Sequence, residues 1–357
     1  MIDFAYLLVA AVAFVLSLIL VPVARRLGLL LGIVDPVHPD KIHQEPMVRC
    51  GGAGIFAAFC LTLFFGLAFL HFEAPRRLLP TGLREHIPNI PLVFGRLAAV
   101  LAGGSLLFIV GLIDDKKNLR PVVKLAFQIL AGLILVAGGV TIQIFIPGWL
   151  PGAVLTIVWV VMISNAFNLL DNMNGLSAGV SVVCALSFYL VSRAGGEYFM
   201  MAMFAALAGS AAGFLPYNFP RARLFMGDSG SLFLGYMFAA LSIMVTYYDA
   251  GVPNQLPVVA PLVVLGVPLF DTLSVMWIRW RAGKPLMQGD QNHFSHRLVA
   301  LGFTRMAAVV FIWVVTLTMG LAAVNLRWLP TAGAIIALTQ VTLFFLLIFV
   351  LERQSRR

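Results

Sequence analysis

The sequence predicts an all-α polytopic membrane protein of about eleven transmembrane helices, with the N-terminus outside and the C-terminus in the cytoplasm. Three observations carry this. Of 357 residues, 61% are apolar and 11% charged, against roughly 45–50% and about 25% in soluble domains. The apolar residues gather into runs close to the roughly 20 residues that a helix needs to cross hydrocarbon. Finally, 18 of the 24 Lys and Arg fall on alternate connections between those runs and 6 on the others, the asymmetry that marks the cytoplasmic side.

The first run, 5–23, has Asp3 before it and Arg25 and Arg26 after it. That is the reverse of the charge order in a cleavable signal peptide, so it is read as a retained helix. Runs at 53–70, 97–113, 125–140, 149–166, 176–191, 199–215, 232–247, 256–278, 306–324 and 331–351 follow. The proline-rich stretch 72–94 is expected to be an irregular or interfacial outer loop. No internal repeat and no soluble segment interrupts the series, so residues 1–357 are read as one integral membrane domain. The three cysteines, Cys50, Cys60 and Cys184, are scattered and suggest neither disulfide framework nor zinc site. The net charge of +9 flanks apolar runs, where it meets anionic lipid rather than nucleic acid.

The dense polar clusters fall on the stretches assigned to the cytoplasm, which the charge count did not require. Asp114 and Asp115 end an apolar helix. A solvated helix end is the plain reading, but a carboxylate there opposes the helix dipole, which favours cations. A partner is therefore expected, one carboxylate meeting metal or substrate and the other a neighbouring base or lysine. Asn168 and Asp171 are three apart and share a helix face, either satisfying the helix end or facing a ligand. Asp228 lies in Met-Gly-Asp-Ser-Gly-Ser, where it could cap a helix or offer the hard oxygen that Mg²⁺ requires. His293, His296 and Arg297 share a loop; with no third His or Cys nearby, a phosphate clamp fits better than zinc. Asp271 falls inside an apolar run, as a buried tie or as support for that loop.

In this order, the clusters resemble the polyprenyl-phosphate N-acetylhexosamine-1-phosphate transferases, over about residues 35–298. The matching motifs are Asp114-Asp115 with Lys124 nine residues on, Asn168-x-x-Asp171 with a glycine turn, Gly-Asp228-x-Gly-Ser, and the loop with His293 and His296. Lys41-x-His43-x-x-Pro46 looks like the branch that initiates lipid-linked sugars, more than the branch that transfers phospho-MurNAc-pentapeptide. Two positions depart from the pattern. Asn174 stands where many bacterial relatives carry Asp, at a position associated with uracil, and Ser295 interrupts the usual His-x-His-His.

The resemblance implies attack by a polyprenyl phosphate, most simply undecaprenyl phosphate, on the sugar-linked phosphate of a UDP-N-acetylhexosamine, GlcNAc being the family default. UMP is released in a bacterial inner membrane. It implies Asp114, Asp115 and Asp228 as catalytic, Asp228 and Asn168 as ligands of Mg²⁺ with Mn²⁺ as the alternative, and Lys124, Asn168, Asp171, Asn174, His293, His296, Arg297 and His43 as substrate-binding. A homodimer is left open. A strong base is not required, because the second pKa of a phosphate monoester is about 6. The contrasting class is a transporter or flippase of anionic solutes, whose mark would be charges lining a route through the membrane; Asp271 alone sits at such depth.

Overall fold

The apolar runs fold as helices in the computed structural model, which describes residues 2–35, 46–76, 79, 81–143, 148–249, 251–284 and 292–354. In chain order the elements are α1 (Ile2–Leu31), β1 (Val34–Asp35), β2 (Met47–Val48), α2 (Gly51–His71), α3 (Glu73–Arg76), α4 (Thr81–Arg84) and α5 (Ile90–Lys117). Then come α6 (Pro121–Ala137), α7 (Trp149–Leu170), α8 (Leu176–Ala194), α9 (Tyr198–Asn218) and α10 (Gly227–Met244). The chain ends with α11 (Ala260–Val264), α12 (Gly266–Arg281), α13 (Phe294–Ala300), α14 (Arg305–Asn325) and α15 (Thr331–Gln354).

Among the described residues, eight helices are long and apolar enough to cross a membrane, or nine if one bent pair counts as a span. That is fewer than the eleven expected. The shortfall has physical causes. Helix α6 has 17 residues, α10 opens with the polar turn Gly-Asp-Ser-Gly-Ser, and the run expected at 256–278 is broken by a 68° bend before Gly266. Pro268 has no N–H to donate to the carbonyl of Val264, and the Cys184 thiol approaches that carbonyl at 3.4 Å instead. The 72–94 stretch contains α3, α4 and a 3₁₀ turn at Ile87–Asn89, so it is more ordered than an irregular loop. One feature the all-α expectation lacked is the β1–β2 pair, antiparallel with Val34 opposite Val48.

Helix α10 runs through the middle of the bundle, buried from Ser229 to Ser242, and packs on α2, α5 and α7. Glycines allow the crossings at its N-terminus. A Cβ on Gly52 would lie 2.1 Å from the Gly230 nitrogen, and one on Gly111 would lie 2.4 Å from the Asp228 carbonyl oxygen. Large apolar side chains stay exposed on the outer helices, among them Leu30, Val314, Leu343 and Leu347, a surface suited to lipid rather than water. The first turn of α10 is thus pinned between α2 and α5, and this crossing positions the site.

Candidate active site

Helix α5 ends because Asn118 adopts the left-handed conformation (φ 50°) and its N–H returns to the Asp114 carbonyl. Pro121 then opens α6 in the first turn, where its missing N–H costs nothing. This tight corner brings Lys124 back over the α5 terminus. Its Nζ lies 2.8 Å from Asp114 Oδ2 and 2.8 Å from Asp228 Oδ2, bridging two carboxylates. Asp114 Oδ1 also accepts the Leu119 N–H at 2.5 Å.

Asp115 points the other way. Its two oxygens accept the N–H groups of Asp228 (2.7 Å) and Ser229 (3.1 Å), so a carboxylate from α5 caps the N-terminus of α10, the end that attracts anions. Gly227, with φ +76°, is required beside it, since a Cβ there would lie 2.5 Å from Asp115 Oδ2. The adjacent acids are expected from the sequence to divide between a metal or substrate and a base; Asp114 does meet a lysine, while Asp115 is engaged by the α10 terminus.

Asn168 Nδ2 donates to Ser231 Oγ at 3.0 Å, and Ser231 donates to the Gly227 carbonyl, tying α7 to the same turn. Asp171 caps α7 and is only partly exposed. Its carboxylate makes no hydrogen bond among the described residues; burial, then the nearby Asp228 and Asp115, push its pKa up to about 8, with Arg49 opposing. Beyond it, the Gly175 N–H is held by Asn218 Oδ1 at 2.5 Å, while Asn218 Nδ2 donates to the Leu224 carbonyl at 3.0 Å. The turns before α8 and α10 are therefore locked together.

A cavity of about 600 Å³ opens at this end of the bundle, and five of the residues singled out from the sequence line it: Asp115, Asp171, Asn174, Asp228 and His296. Asp114, Lys124 and Asn168 form a layer behind Asp228. His293 and Arg297, expected to bind substrate, are buried off the cavity wall. His293 Nδ1 lies 2.8 Å from Asp271 Oδ2, and Asp271 Oδ1 accepts the Phe294 N–H at 2.6 Å. Arg297 donates to Ser274 Oγ at 2.8 Å and to the Asn292 carbonyl. These contacts anchor α13 to α12 and leave His296 facing the cavity. Asp271 is thus a support for the loop, one of its two sequence readings. Ser295, the departure from the usual pattern, donates to Asn172 Oδ1 at 2.6 Å and so joins the His loop to the α7–α8 turn. His43 lies outside the described residues.

The cavity also holds residues the sequence reading did not single out: Arg49, Arg221, Arg305 and Phe225. Arg49 is placed by its 3.0 Å ion pair with Asp35, and Arg221 and Arg305 have no partner among the described residues. The local cue was that each of these arginines flanks an apolar run on the side already rich in acids. The lining thus carries both carboxylates and guanidinium groups, able to hold a cation and several phosphate oxygens together.

Among the described residues, no three His, Cys, Asp or Glu side chains form a ready cage for a metal ion. The donors do fit a hard divalent cation of another kind. Asp171 and Asp228 offer carboxylate oxygens in one cavity, Asp171 is without a hydrogen-bond partner, and Mg²⁺ typically takes one or two carboxylates with the remainder from water and substrate phosphate.

Residues 97–246 match the family described as Glycosyl transferase family 4. The chain is 31% identical over 351 residues to a Bacillus subtilis (strain 168) protein named "Probable undecaprenyl-phosphate N-acetylglucosaminyl 1-phosphate transferase", covering 95% of this chain and 89% of that one. It is 32% identical to a decaprenyl-phosphate N-acetylglucosaminephosphotransferase of Mycobacterium tuberculosis (strain CDC 1551 / Oshkosh), over 84% of this chain and 77% of the relative. A phospho-N-acetylmuramoyl-pentapeptide-transferase of Moorella thermoacetica is 33% identical over 67% of this chain and 77% of its own length. With the carboxylate cavity, the apolar bundle and relatives of this extent, the chain belongs to the polyprenyl-phosphate N-acetylglucosamine-1-phosphate transferases of glycosyl transferase family 4.

Proposed function

We propose that the protein transfers N-acetylglucosamine-1-phosphate from UDP-N-acetylglucosamine to undecaprenyl phosphate, releasing UMP and starting a lipid-linked glycan in the bacterial cytoplasmic membrane. The observation that carries this reading is the convergence of Asp115, Asp171, Asp228, Asn174, His296, Arg49, Arg221 and Arg305 on one cavity at the end of an apolar bundle. A lipid phosphate and a water-soluble nucleotide sugar can meet only at such a boundary. An oxygen of the acceptor phosphate attacks the sugar-linked phosphorus, one P–O bond forms, the anhydride P–O bond to UMP breaks, and no net anhydride is lost.

Bringing two phosphorylated anions together requires positive charge at the reacting phosphates. A bound Mg²⁺ supplies part of that charge when present, and Asp228 and Asp171 are the residues that would hold it, with Asn168 behind Asp228. Arg49, Arg221, Arg305 and His296 face the phosphates, and Asn174 and Phe225 the nucleoside. Lys124 keeps Asp114 and Asp228 both ionised. Asp115 is assigned to positioning the α10 terminus, since the acceptor is largely ionised at neutral pH and both Asp115 oxygens are engaged. His293 and Arg297 are assigned to positioning His296. This reading takes residues 1–357 as one domain, with the cavity and the C-terminus in the cytoplasm and the N-terminus outside.

The test is release of UMP by purified protein given undecaprenyl phosphate, Mg²⁺ and a panel of UDP-sugars. UDP-N-acetylglucosamine should be the best donor and EDTA should stop the reaction. Asp228→Asn should lower turnover by roughly 10²–10³-fold with thermal unfolding little changed. Wild-type turnover in that variant, or UMP release without lipid acceptor, would overturn the assignment.

A further inference from the structure

A second cavity, of about 610 Å³, lies at the other end of the bundle between α5, α7, α10 and α11. Its wall is largely apolar, with Leu155, Val158, Met162 and Leu262 among its residues, and it carries one guanidinium, Arg96. Arg96 is exposed, lies inside a candidate membrane span and has no partner among the described residues. No carboxylate lines the cavity among those residues. A guanidinium near the end of a membrane helix sits at headgroup level, where it attracts anionic groups, and no described residue lining the cavity supplies one.

Depth says where that anion comes from. Arg96 and Asp115 are 19 residues apart on the continuous helix α5, which at about 1.5 Å per residue puts them about 28 Å apart, close to the roughly 30 Å thickness of the hydrocarbon core. If the carboxylate cavity lies at one boundary, Arg96 lies at the other. Tyr248, Thr141 and Gln143 also line this cavity and add polar groups to it, while Val158 and Leu262 are exposed.

We propose that this cavity holds an anionic phospholipid of the opposite leaflet, with its phosphate on Arg96 and the first part of its chains against Val158, Met162 and Leu262. The charge complementarity is one-sided: a lone guanidinium favours a headgroup of net negative charge, whereas a zwitterionic headgroup brings its own cation to a site with no carboxylate to receive it. The chains need no burial beyond what the apolar wall provides, because the remainder stays in the bilayer.

The test is native mass spectrometry of the full-length protein titrated in detergent with phosphatidylglycerol, phosphatidylcholine or undecaprenyl phosphate, with thermal unfolding as the control for folding. The wild type should hold phosphatidylglycerol more tightly than phosphatidylcholine. Arg96→Ala should weaken the first by about five- to tenfold and leave the second unchanged, and Arg96→Lys should keep most of the preference. Leu262→Trp, which fills the apolar side while retaining the cation, should also weaken phosphatidylglycerol. Equal retention of phosphatidylglycerol by the wild type and Arg96→Ala would overturn the proposal, as would undisturbed binding in Leu262→Trp. Tighter binding of undecaprenyl phosphate than of phosphatidylglycerol, lost in Arg96→Ala, would overturn the phospholipid assignment.

Discussion

The two cavities have nearly the same volume, about 600 and 610 Å³, and almost nothing else in common. One gathers four carboxylates, three arginines and a histidine from separate segments; the other is walled by apolar side chains and holds one arginine. Volume therefore does not identify the reaction centre. What distinguishes it is that the polar groups are themselves built into the joints between helices: Asp115 caps α10, Lys124 bridges α6 to α5 and α10, and Asn168 ties α7 to the same turn. At that end the fold and the chemistry use the same residues. At the other end a cation can be removed without loosening a joint.

That contrast makes quantitative predictions. The largest effect on stability is expected at Lys124. Lys124→Met leaves Asp114 and Asp228 facing each other without their shared cation, and should cost about 2–4 kcal/mol of stability along with a fall in turnover of roughly 10²-fold, read by thermal unfolding and UMP release. Stability like that of the wild type would show that the bridge is not a joint. Next, the tether: His293→Ala should cost about 2 kcal/mol and Asp271→Ala more, because Asp271 also holds the Phe294 N–H, and the double variant should cost little more than Asp271→Ala alone. Additive losses in that cycle would separate the two residues.

Asp171 gives a pH dependence whose sign follows from its raised pKa of about 8. Near neutral pH without a cation its carboxyl holds a proton that the unfolded chain, with an ordinary carboxyl near 3.8, has released. The folded state thus binds more protons between those values, so this group's contribution to stability is present below about pH 4 and fades as pH approaches 8. A divalent cation must displace that proton. Mg²⁺ affinity should therefore rise between pH 6 and 8 with proton release, seen by calorimetry in buffers of different ionisation enthalpy, and Asp171→Asn should abolish the release. The smallest effect belongs to Ser295→Ala, which loses one neutral hydrogen bond to Asn172 and should cost about 1 kcal/mol.

Much of the architecture was legible because apolar length and the placement of Lys and Arg are local properties. Asp114, Asp115, Asp171 and Asp228 were also legible as a set, since acids at the ends of apolar runs stand out. Their division of labour was not. Asp115 caps a helix that begins 112 positions later in the chain, and the pairing of His293 with Asp271 spans 22; no spacing rule reports tertiary partners. Arg221 and Arg305 looked like ordinary flanking charges until the folded chain turned them into one cavity. The bend before Gly266 escaped because the run at 256–278 is apolar up to Asp271, and hydropathy does not register a missing amide at Pro268. The brief β1–β2 pair is too short for any alternation to show.

The central claim is that the α7–α8 turn and the His loop border a single reaction centre that binds a nucleotide sugar. Thiol labelling of Asn174→Cys and His296→Cys, each in sealed vesicles of defined orientation, tests it most directly, because both positions line the cavity whereas Cys50 and Cys184 are buried. Both introduced thiols should react from the same side, and UDP-N-acetylglucosamine with Mg²⁺ should protect both. Reaction from opposite sides, or protection of neither, would contradict it.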